Sequence, residues 1–444
     1  MNIYSEWGFQ DNPFSTVALE ANEEGNMLLI GREDEIKKIH RRVFLRPKSV
    51  TIEGYNGVGK TSLVNVAAYR LYKDYIDRKS TQLFIPNPTI FQLSPTNPSN
   101  EFIDKVYYSI GQALIKDYSL VKRLGILFEH VEAITNYLST YQLHSLQGGV
   151  LGVSAGESVE LNLGEAFNKS GYRKIIDEWL NLLHKKKSGV ICVLDNLELV
   201  QTSKNAKDQL EFLRDELLTK NGIRWVLCGS SGIILGCASS PRLTGILHNP
   251  IEITGLAKGN LAKDIFNSRF EFYRQRKKHD FDKEKENYLP INDSGFDLLL
   301  SILNGNIRHA LYYADEYCLW CADNDLKPED DIEKRKELLK WLNDYSENLK
   351  NAFEISVSPR GRKFFLKACE LDRSFSYGEH SMFDFNSTQH MKNYVAELES
   401  AELMQSIRTE EDKRRKLIQV TPKGLILYVI GIKIDRKKIR PTIE

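Results

Sequence analysis

The chain has 444 residues, of which 41% are hydrophobic and 27% are charged, and its formal net charge is +1. This length exceeds what one ordinary hydrophobic core organises, so two or three domains are expected. The balanced charge excludes a chain-wide field that would attract nucleic acid or an anionic membrane, so any basic surface must be local.

No segment of the sequence predicts export or membrane insertion. The first thirty residues contain five acidic side chains and no apolar core of useful length. The run GLILYVIGIKI is interrupted by Gly431 and is shorter than the ~20 residues of a membrane helix. The six cysteines do not form a disulfide framework, and the lone CxxC of Cys318 and Cys321 is expected to pack in a core. We therefore expect a cytoplasmic protein with no membrane partner.

A phosphate-binding loop is the strongest motif in the chain. An apolar strand is predicted around Val50 and Ile52, and a helix from Ser62 to Leu71. Glycines allow backbone N–H groups between them to turn toward a phosphate, and the helix N-terminus adds partial positive charge. Lys60 is expected to contact the β and γ phosphates, and the Thr61 hydroxyl to bind Mg²⁺. The predicted nucleotide-binding residues are Gly54, Tyr55, Asn56, Gly57, Val58, Gly59, Lys60, Thr61 and Ser62.

The segment GVICVLDNLE predicts the second half of this site. It is a buried strand that ends at Asp195, about 135 residues after the loop, and Asp195 is expected to bind Mg²⁺ directly or through water. Asn196 follows, where many ATP-hydrolysing proteins have a glutamate, and an amide orients water without accepting a proton. Two alternatives follow: Glu198 replaces the missing base, or hydrolysis is slow and the bound state matters more. We favour slow hydrolysis.

Further strands and one insertion complete a predicted three-layer α/β core over residues 30–255. TIFQL, residues 89–93, is the expected second strand, and RWVLCGSSGI and SSPRLTGILHNPIEITGL supply the fourth and fifth. Residues 147–167 are rich in glycine and predict a projecting hairpin, which is either a contact element for DNA or a partner, or a tolerated surface insertion. The nucleotide is expected at the carboxyl ends of the parallel strands.

The order of these motifs resembles the AAA+ ATPases, specifically their origin-recognition and initiator-like branch. LLIGREDEIKKI lies about twenty residues before the loop, and NGNIRHALYYADEY closes a predicted helical lid. The same branch is similar to transposition regulators and to bacterial signalling NTPases of the STAND type. The resemblance implies an ATPase with ATP and Mg²⁺ as cofactors, a helical lid over residues 256–345, and an N-terminal arm over residues 1–29.

The resemblance also implies roles for residues outside the loop. Ile30, Gly31 and Arg32 are expected near the adenine, although Gly31 and Arg32 also suit a plain helix start. Ser230 or Ser231 takes the place of a polar sensor of the γ-phosphate.

Two arginines complete the roles that the resemblance implies. Arg242 corresponds to an arginine that reaches a neighbouring subunit's nucleotide, or else it is a surface arginine. Arg308, in GNIR, corresponds to a lid arginine that touches the γ-phosphate. A homo-oligomer or hetero-oligomer through the nucleotide interface is therefore expected.

A winged-helix domain is predicted over residues 346–444. SPRGRKFFLKACEL predicts a first helix, and FNSTQHMKNYVAELESAELM a second one that Asn386 or Ser387 caps. SIRTEEDKRRKLIQVTPKGLIL alternates around a charged turn, as a two-stranded wing does.

Local charge favours duplex DNA as the partner of this domain. From Arg408 to Glu444 there are eleven Lys or Arg against five Asp or Glu. Gln389, Lys392 and Asn393 are expected to face base edges, and the wing tip is expected to contact phosphates through Lys413, Arg414, Arg415 and Lys416. Nearby acids, including Glu397 and Glu399, oppose this interpretation, and winged helices also bind proteins.

The leading hypothesis is a slowly hydrolysing ATP switch that binds DNA and recruits an unknown partner. The alternative is a STAND-like signalling or antiviral-defence NTPase in which the winged helix makes protein contacts and inhibits the core.

Overall fold

The computed structural model describes most of the chain. The described residues are 2–45, 48–93, 99–139, 169–197, 203–230, 232–256, 260–274, 287–371, 374–408 and 416–433. The predictions made for residues 147–167, Glu198, Ser231 and 413–415 lie outside these ranges.

Five parallel strands form the central sheet, in the order β2-β3-β4-β1-β5. The strands are β1 (Val50–Gly54), β2 (Phe84–Phe91), β3 (Gly189–Leu194), β4 (Ile223–Gly229) and β5 (Ile251–Ile253). β1, β3 and β4 are buried along their whole length, as strands covered on both faces are. Because β1 lies between β4 and β5, the loop that follows β1 is flanked by neighbouring strand ends.

The second strand begins earlier than the TIFQL segment suggests. β2 starts at Phe84, and its register against β3 shifts between Pro86 and Ile90. Proline has no N–H to donate to a ladder and is found at sheet edges, and β2 is an edge strand. Pro86 and Pro88 therefore obscure the first half of this strand in the sequence pattern.

Helices cover both faces of the sheet. One apolar cluster joins α3 and α4 to the sheet, and a second joins α5, α8, α9 and α10 to its other face. The helices of the arm and core are α1 (Ile3–Glu6), α2 (Glu23–Leu28), α3 (Glu33–Phe44), α4 (Lys60–Ile76), α5 (Ser99–Lys116), α6 (Tyr118–Arg123), α7 (131–139), α8 (Lys169–Lys185), α9 (Ser203–Leu213), α10 (Ile233–Ala238) and α11 (Pro241–Thr244), with a π-helical turn at Arg214–Leu218 after α9.

The helical lid contains the N-terminal arm within its own core. Its helices are α12 (Leu261–Tyr273), α13 (Asp293–Ile302), α14 (Ile307–Asp323) and α15 (Asp331–Ser356). Tyr4, Trp7, Phe9 and Phe14 of the arm are buried in the same apolar cluster as these helices. The Tyr4 hydroxyl donates to the Asp315 carboxylate at 2.5 Å. Residues 3–14 thus pack as part of the lid, which their sequence pattern did not reveal.

The two cysteines of the CLWC motif belong to this core. Cys318 and Cys321 are fully buried free thiols on α14. Burial raises the pKa of Cys321 to about 11, so this thiol stays protonated at neutral pH. Both side chains contribute apolar packing.

The C-terminal domain is a winged helix, as predicted. It comprises α16 (Pro359–Leu371), β6 (Phe375–Ser376), a 3-10 segment (Tyr377–Phe383), α17 (Thr388–Ser400), β7 (Met404–Arg408), β8 (Lys416–Val420) and α18 (Pro422–Ile426), which continues as a π-helical stretch (Leu427–Lys433). β6 and β7 flank β8 in an antiparallel sheet. α15 runs without a break past residue 345, so one helix joins the lid to this domain.

None of the helices among the described residues combines the length and apolarity that crossing a membrane requires.

Candidate nucleotide-binding site

The phosphate loop connects β1 to α4 and depends on two glycines with positive φ. Gly57 has φ +86° and Gly59 has φ +91°, a conformation that side chains other than glycine rarely adopt. A Cβ on Gly57 would lie 2.4 Å from the Asn306 side-chain oxygen. Gly57 is therefore required both for the turn of the loop and for the close approach of the lid.

Lys60 lies at the start of α4 beneath the loop. It is 6% exposed, and its ammonium group donates to the carbonyl oxygens of Gly54 at 2.8 Å and Tyr55 at 3.2 Å. A phosphate bound in the loop would share this ammonium group with the two carbonyls. The geometry fits the role predicted for Lys60 as a phosphate ligand.

Thr61 and Asp195 bring two oxygen ligands together across the sheet. The Thr61 hydroxyl donates to the Asp195 carboxylate at 2.5 Å, and the other carboxylate oxygen accepts the Asn196 N–H at 2.8 Å. A hydroxyl and a carboxylate are the hard donors that Mg²⁺ prefers, and Mg²⁺ commonly binds one or two protein groups together with phosphate oxygens and water. The donor set therefore fits Mg²⁺, with Thr61 and Asp195 as its ligands.

Asn196 adopts a left-handed conformation directly after the acidic strand. Its φ is +54°, which asparagine tolerates better than most residues. It lines the cavity beside the loop, whereas the following Leu197 is fully buried. The residue at the position of the usual base is thus a neutral amide that faces the site.

The lid is docked onto the phosphate loop through the start of α14. The Asn306 amide donates to the Asn56 carbonyl at 2.8 Å, and its oxygen caps α14 by accepting the His309 N–H at 3.2 Å. The Arg308 N–H donates to the Gly57 carbonyl at 3.1 Å. These contacts bring Arg308 to the cavity wall, where the sequence predicts a lid arginine.

A cavity extends from the loop between the core, the lid and the arm. Of the residues predicted to bind nucleotide or act on it, those in its lining are Ile30, Arg32, Asn56, Gly57, Val58, Gly59, Lys60, Thr61, Ser62, Asn196 and Arg308. The predicted residues Gly31, Gly54, Tyr55, Asp195, Ser230 and Arg242 are not part of its described lining.

Arg32 holds the loop in place. Its guanidinium group is 3% exposed and donates to the carbonyls of Val58 at 3.0 Å and Thr254 at 2.7 Å, and it pairs with Glu35 at 3.2 Å. Burial lowers the pKa of Arg32, and the carboxylate of Glu35 opposes this effect. These bonds join the loop to the end of β5, and the position near the adenine that the resemblance implies for Arg32 stays a prediction.

Gly31, Ser230 and Arg242 have other surroundings than the cavity lining. Gly31 has φ +75°, and a Cβ there would lie 2.7 Å from Leu261 of α12. Ser230 is buried after β4, and its carbonyl accepts the Ile233 N–H at 3.3 Å. Arg242 is 55% exposed on α11 and pairs with Asp215 at 3.3 Å.

The sequence pattern did not identify Glu53, a buried carboxylate on β1, as part of the site's framework. Glu53 is 5% exposed, and its carboxylate accepts the Ile234 N–H at 2.6 Å, so it holds the start of α10 against the phosphate-loop strand. An acid within an otherwise apolar strand is the signal that could have identified it.

The predicted DNA-binding residues divide between described and undescribed parts of the winged helix. Gln389, Lys392 and Asn393 are exposed along α17, and the Lys392 ammonium group lies 5.7 Å from the centre of the Tyr377 ring. The strands of the wing are present, and β8 begins at Lys416. Lys413, Arg414 and Arg415 at the wing tip lie outside the described residues.

Two acids that seemed to oppose DNA binding are engaged within the domain. The Glu397 carboxylate accepts the Ser358 N–H at 2.5 Å and the Ser358 hydroxyl at 3.0 Å. The Glu399 carboxylate accepts the Ser406 N–H at 2.6 Å. Both carboxylates therefore accept hydrogen bonds from backbone donors within the domain.

The sheet order, the phosphate loop, the lid and the C-terminal domain together define the fold class of the protein. The architecture is a three-layer P-loop NTPase core of the AAA+ kind with a helical lid and a winged helix, which confirms the fold class predicted from the sequence.

Solved structures of archaeal proteins are similar to this chain over nearly its whole length. The ORC1 protein of Aeropyrum pernix, solved in complex with DNA, is 12% identical with a TM-score of 0.39, covering 95% of this chain and 99% of that one. The Walker-type ATPase PABY2304 of Pyrococcus abyssi is 12% identical with a TM-score of 0.42, covering 95% and 100%. Cdc6p of Pyrobaculum aerophilum is 15% identical with a TM-score of 0.39, covering 97% and 99%.

No family model and no curated protein matches the sequence. Initiator proteins are thus among the structures that resemble this chain, as the sequence motifs predict.

Proposed function

We propose that this chain is an ATP-binding and slowly hydrolysing switch that binds duplex DNA through its winged helix and recruits partner proteins. The docking of the lid on the phosphate loop carries the proposal. Asn306 and Arg308 donate to the carbonyls of Asn56 and Gly57, which belong to the loop that would wrap the phosphates. Phosphate binding and lid position are therefore coupled, and the continuous α15 connects the lid to the winged helix.

The residues of the core have distinct roles in this proposal. Lys60 binds the β and γ phosphates, and Thr61 and Asp195 hold Mg²⁺, which would offset phosphate charge during transfer. Asn196 orients water near the γ-phosphate without accepting its proton, which supports slow turnover. Arg308 contacts the γ-phosphate from the lid.

The exposed Arg242 supports a composite site between subunits. Arg242 pairs with Asp215 at 3.3 Å on an exposed surface. Such a pair contributes little to the free energy of unfolding, so it separates at low cost. In an oligomer, Arg242 would leave Asp215 and reach the neighbouring nucleotide.

ATP turnover with and without duplex DNA tests the switch. We expect a low rate for the natural chain, a higher rate for Asn196→Glu, and an unchanged rate for Glu198→Gln. If Glu198→Gln abolishes turnover, Glu198 is the base and the explanation of slow hydrolysis through Asn196 is wrong.

Titration with duplex DNA at two salt concentrations tests whether DNA is the partner of the winged helix. Binding should weaken steeply with salt, and Lys392→Ala should reduce the salt slope by about one unit if Lys392 contacts a phosphate. Lys37→Ala is the matched control, because this lysine is 65% exposed on α3 and lies far along the chain from the winged helix.

One contact favours a second function, a STAND-like signalling or defence NTPase. The Ser374 hydroxyl of the C-terminal domain donates to the Tyr55 hydroxyl of the phosphate loop at 3.2 Å. A domain that reaches the loop in this way suits an inhibitory clamp that a trigger releases. Absence of DNA binding at low salt, together with faster turnover in Ser374→Ala, would favour this function over the first.

A further inference from the structure

A shallow groove lies on the lid, between α13 and the first half of α15. Ser294 of α13 contributes to one wall. The side chains of α15 that line the groove include Ile332, Arg335, Lys336, Leu339 and Lys340. These positions recur every three or four residues, so they share one face of the helix. The opposite face of α15, with Leu338, Trp341 and Leu342, is buried in the core of the lid. We name the exposed face the α15 groove.

Two apolar side chains lie in the α15 groove. Ile332 is 82% exposed, and Leu339 is partly buried. They are seven residues apart, which is two helical turns and about 10.5 Å along the axis. The face of a surface helix that points away from its own core normally carries polar residues. Apolar side chains that recur on such a face, with polar residues around them, mark an interaction surface.

The rim of the α15 groove is basic, and two of its cations are unpaired. Arg335 and Lys336 are exposed, and neither pairs with a carboxylate in the described part of the chain. Lys340 adds a third positive charge, in a pair at 3.7 Å with an acid three residues earlier. The acid of the described lining, Asp331, accepts an N–H of the Asn292 side chain at 2.8 Å. The excess of positive charge favours an occupant with acidic side chains.

The combination of apolar and basic side chains favours a protein over nucleic acid. The backbone of duplex DNA would satisfy Arg335 and Lys336, but it gains little from covering Ile332 and Leu339. An amphipathic helix presents apolar side chains at the same seven-residue spacing and has room for acidic residues beside them. Such a helix matches both the apolar pair and the charge of the groove.

We propose that the α15 groove docks an acidic amphipathic helix of a partner protein. The apolar stripe of that helix packs on Ile332 and Leu339, and its acidic side chains lie beside Arg335 and Lys336. This inference rests on the partner recruitment proposed above, and it gives the recruited protein a surface on this chain and a chemistry.

Fluorescence anisotropy of the full chain with a labelled designed peptide tests the proposal. The peptide carries leucine every three or four residues, glutamate on both sides of the leucine stripe and alanine elsewhere. A counterpart has lysine in place of every glutamate. The acidic peptide should bind about tenfold or more tightly than the basic one, and added salt should weaken its binding. Equal affinity for the two peptides would contradict the proposal.

Two variants locate the binding in the α15 groove. Ile332→Ser should weaken the acidic peptide by about tenfold, the effect of losing one covered apolar side chain. Arg335→Glu/Lys336→Glu should weaken it by a similar factor. Ile355→Ser is the matched control, because Ile355 is 88% exposed on the same helix and is not part of the described lining. If Ile332→Ser and Ile355→Ser bind the acidic peptide equally well, the proposal is overturned.

The same variants identify other occupants of the groove. If the acidic peptide does not bind, and Arg335→Glu/Lys336→Glu loses affinity for duplex DNA, the groove contacts DNA and the proposal is wrong. If sedimentation shows that the natural chain self-associates and Ile332→Ser does not, a second copy fills the groove and the proposal is equally wrong. Specific peptide binding by a chain that binds neither ATP nor DNA would support the groove and reject the proposed switch.

Discussion

The two ends of the candidate nucleotide cavity are built in different ways. The phosphate end comes from one continuous segment, in which β1, two left-handed glycines and the start of α4 present backbone N–H groups. The other end, which we name the base end, is assembled from residues 16–19, the segment before α3, the end of β5 and the lid helices, so its lining comes from both ends of residues 16–311. The phosphate end is therefore specified by local geometry, and the base end depends on how the lid packs.

This difference separates the chemistry of the site from its regulation. Backbone amides and one lysine of a single segment would hold the phosphates, and the lid acts on that segment through its contacts with Asn56 and Gly57. The base end exists only while α12 and α14 are docked on the core. Changes at the phosphate end should remove binding, whereas changes at the base end or at the lid contacts should tune it.

Replacing Lys60 should have the largest effect. Lys60→Ala removes the buried ammonium group that would bind two phosphates, so ATP affinity should fall by about a hundredfold or more. Calorimetric titration of ATP with Mg²⁺ measures the loss. Lys37→Ala, at a site that is 65% exposed, should bind ATP normally. If Lys60→Ala binds ATP with unchanged affinity, the assignment of this end of the cavity to the phosphates is wrong.

Arg32→Ala should destabilise the fold rather than block a ligand contact. The change leaves the carbonyls of Val58 and Thr254 without their donor, which should lower the free energy of unfolding by about 3 kcal/mol. Urea denaturation measures this value. Arg274→Ala, whose exposed pair with Glu271 contributes about 1 kcal/mol or less, is the control. A stable Arg32→Ala protein with weakened ATP binding would instead restore the adenine contact suggested by the sequence.

Asn306→Ala should weaken the attachment of the lid to the loop. It removes the cap of α14 and the hydrogen bond to Asn56, which together contribute about 2 kcal/mol. Faster amide hydrogen exchange at the start of α14 and weaker ATP binding should follow. Asn292→Ala is a matched control, because Asn292 caps α13 through the Gly295 N–H without touching the loop. Equal effects of both variants on ATP affinity would argue against coupling through Asn306.

Protonation of His309 should have the smallest effect of the four changes. Burial lowers the pKa of His309, and the neighbouring Arg308 lowers it further, so the ring is neutral in the folded protein. The unfolded chain takes up the proton near the ordinary pKa of 6.5, so stability is complete above that pH and declines as the pH falls below it.

His309→Gln should make this decline in unfolding free energy shallower between pH 7 and pH 5. Burial lowers the pKa of His40 as well, so part of the slope should remain. If the slope of the unfolding free energy against pH is unaltered in His309→Gln, groups other than His309 cause the loss of stability in acid.

The sequence by itself determined the parts of the protein that local physics specifies. The phosphate loop, the strand ending at Asp195 and the capped α17 followed from spacing, apolar runs and turn residues. These signals involve neighbours in the chain, and each backbone conformation needs only a few adjacent residues. The strand β2 was found only in part, because prolines interrupt its apolar pattern.

Only the tertiary structure decided which distant groups meet. Three sets of contacts join residues that no local pattern connects. They are the burial of the arm's aromatic side chains in the lid, the bonds from Arg269 to the carbonyls of Pro13 and Ser15, and the bonds from Arg32 to the loop. The contacts of Arg32 and Arg269 depend on burial. A guanidinium group removed from water donates to the acceptors that tertiary packing places beside it. For that reason the two arginines could not be distinguished from surface residues until the lid and core were assembled.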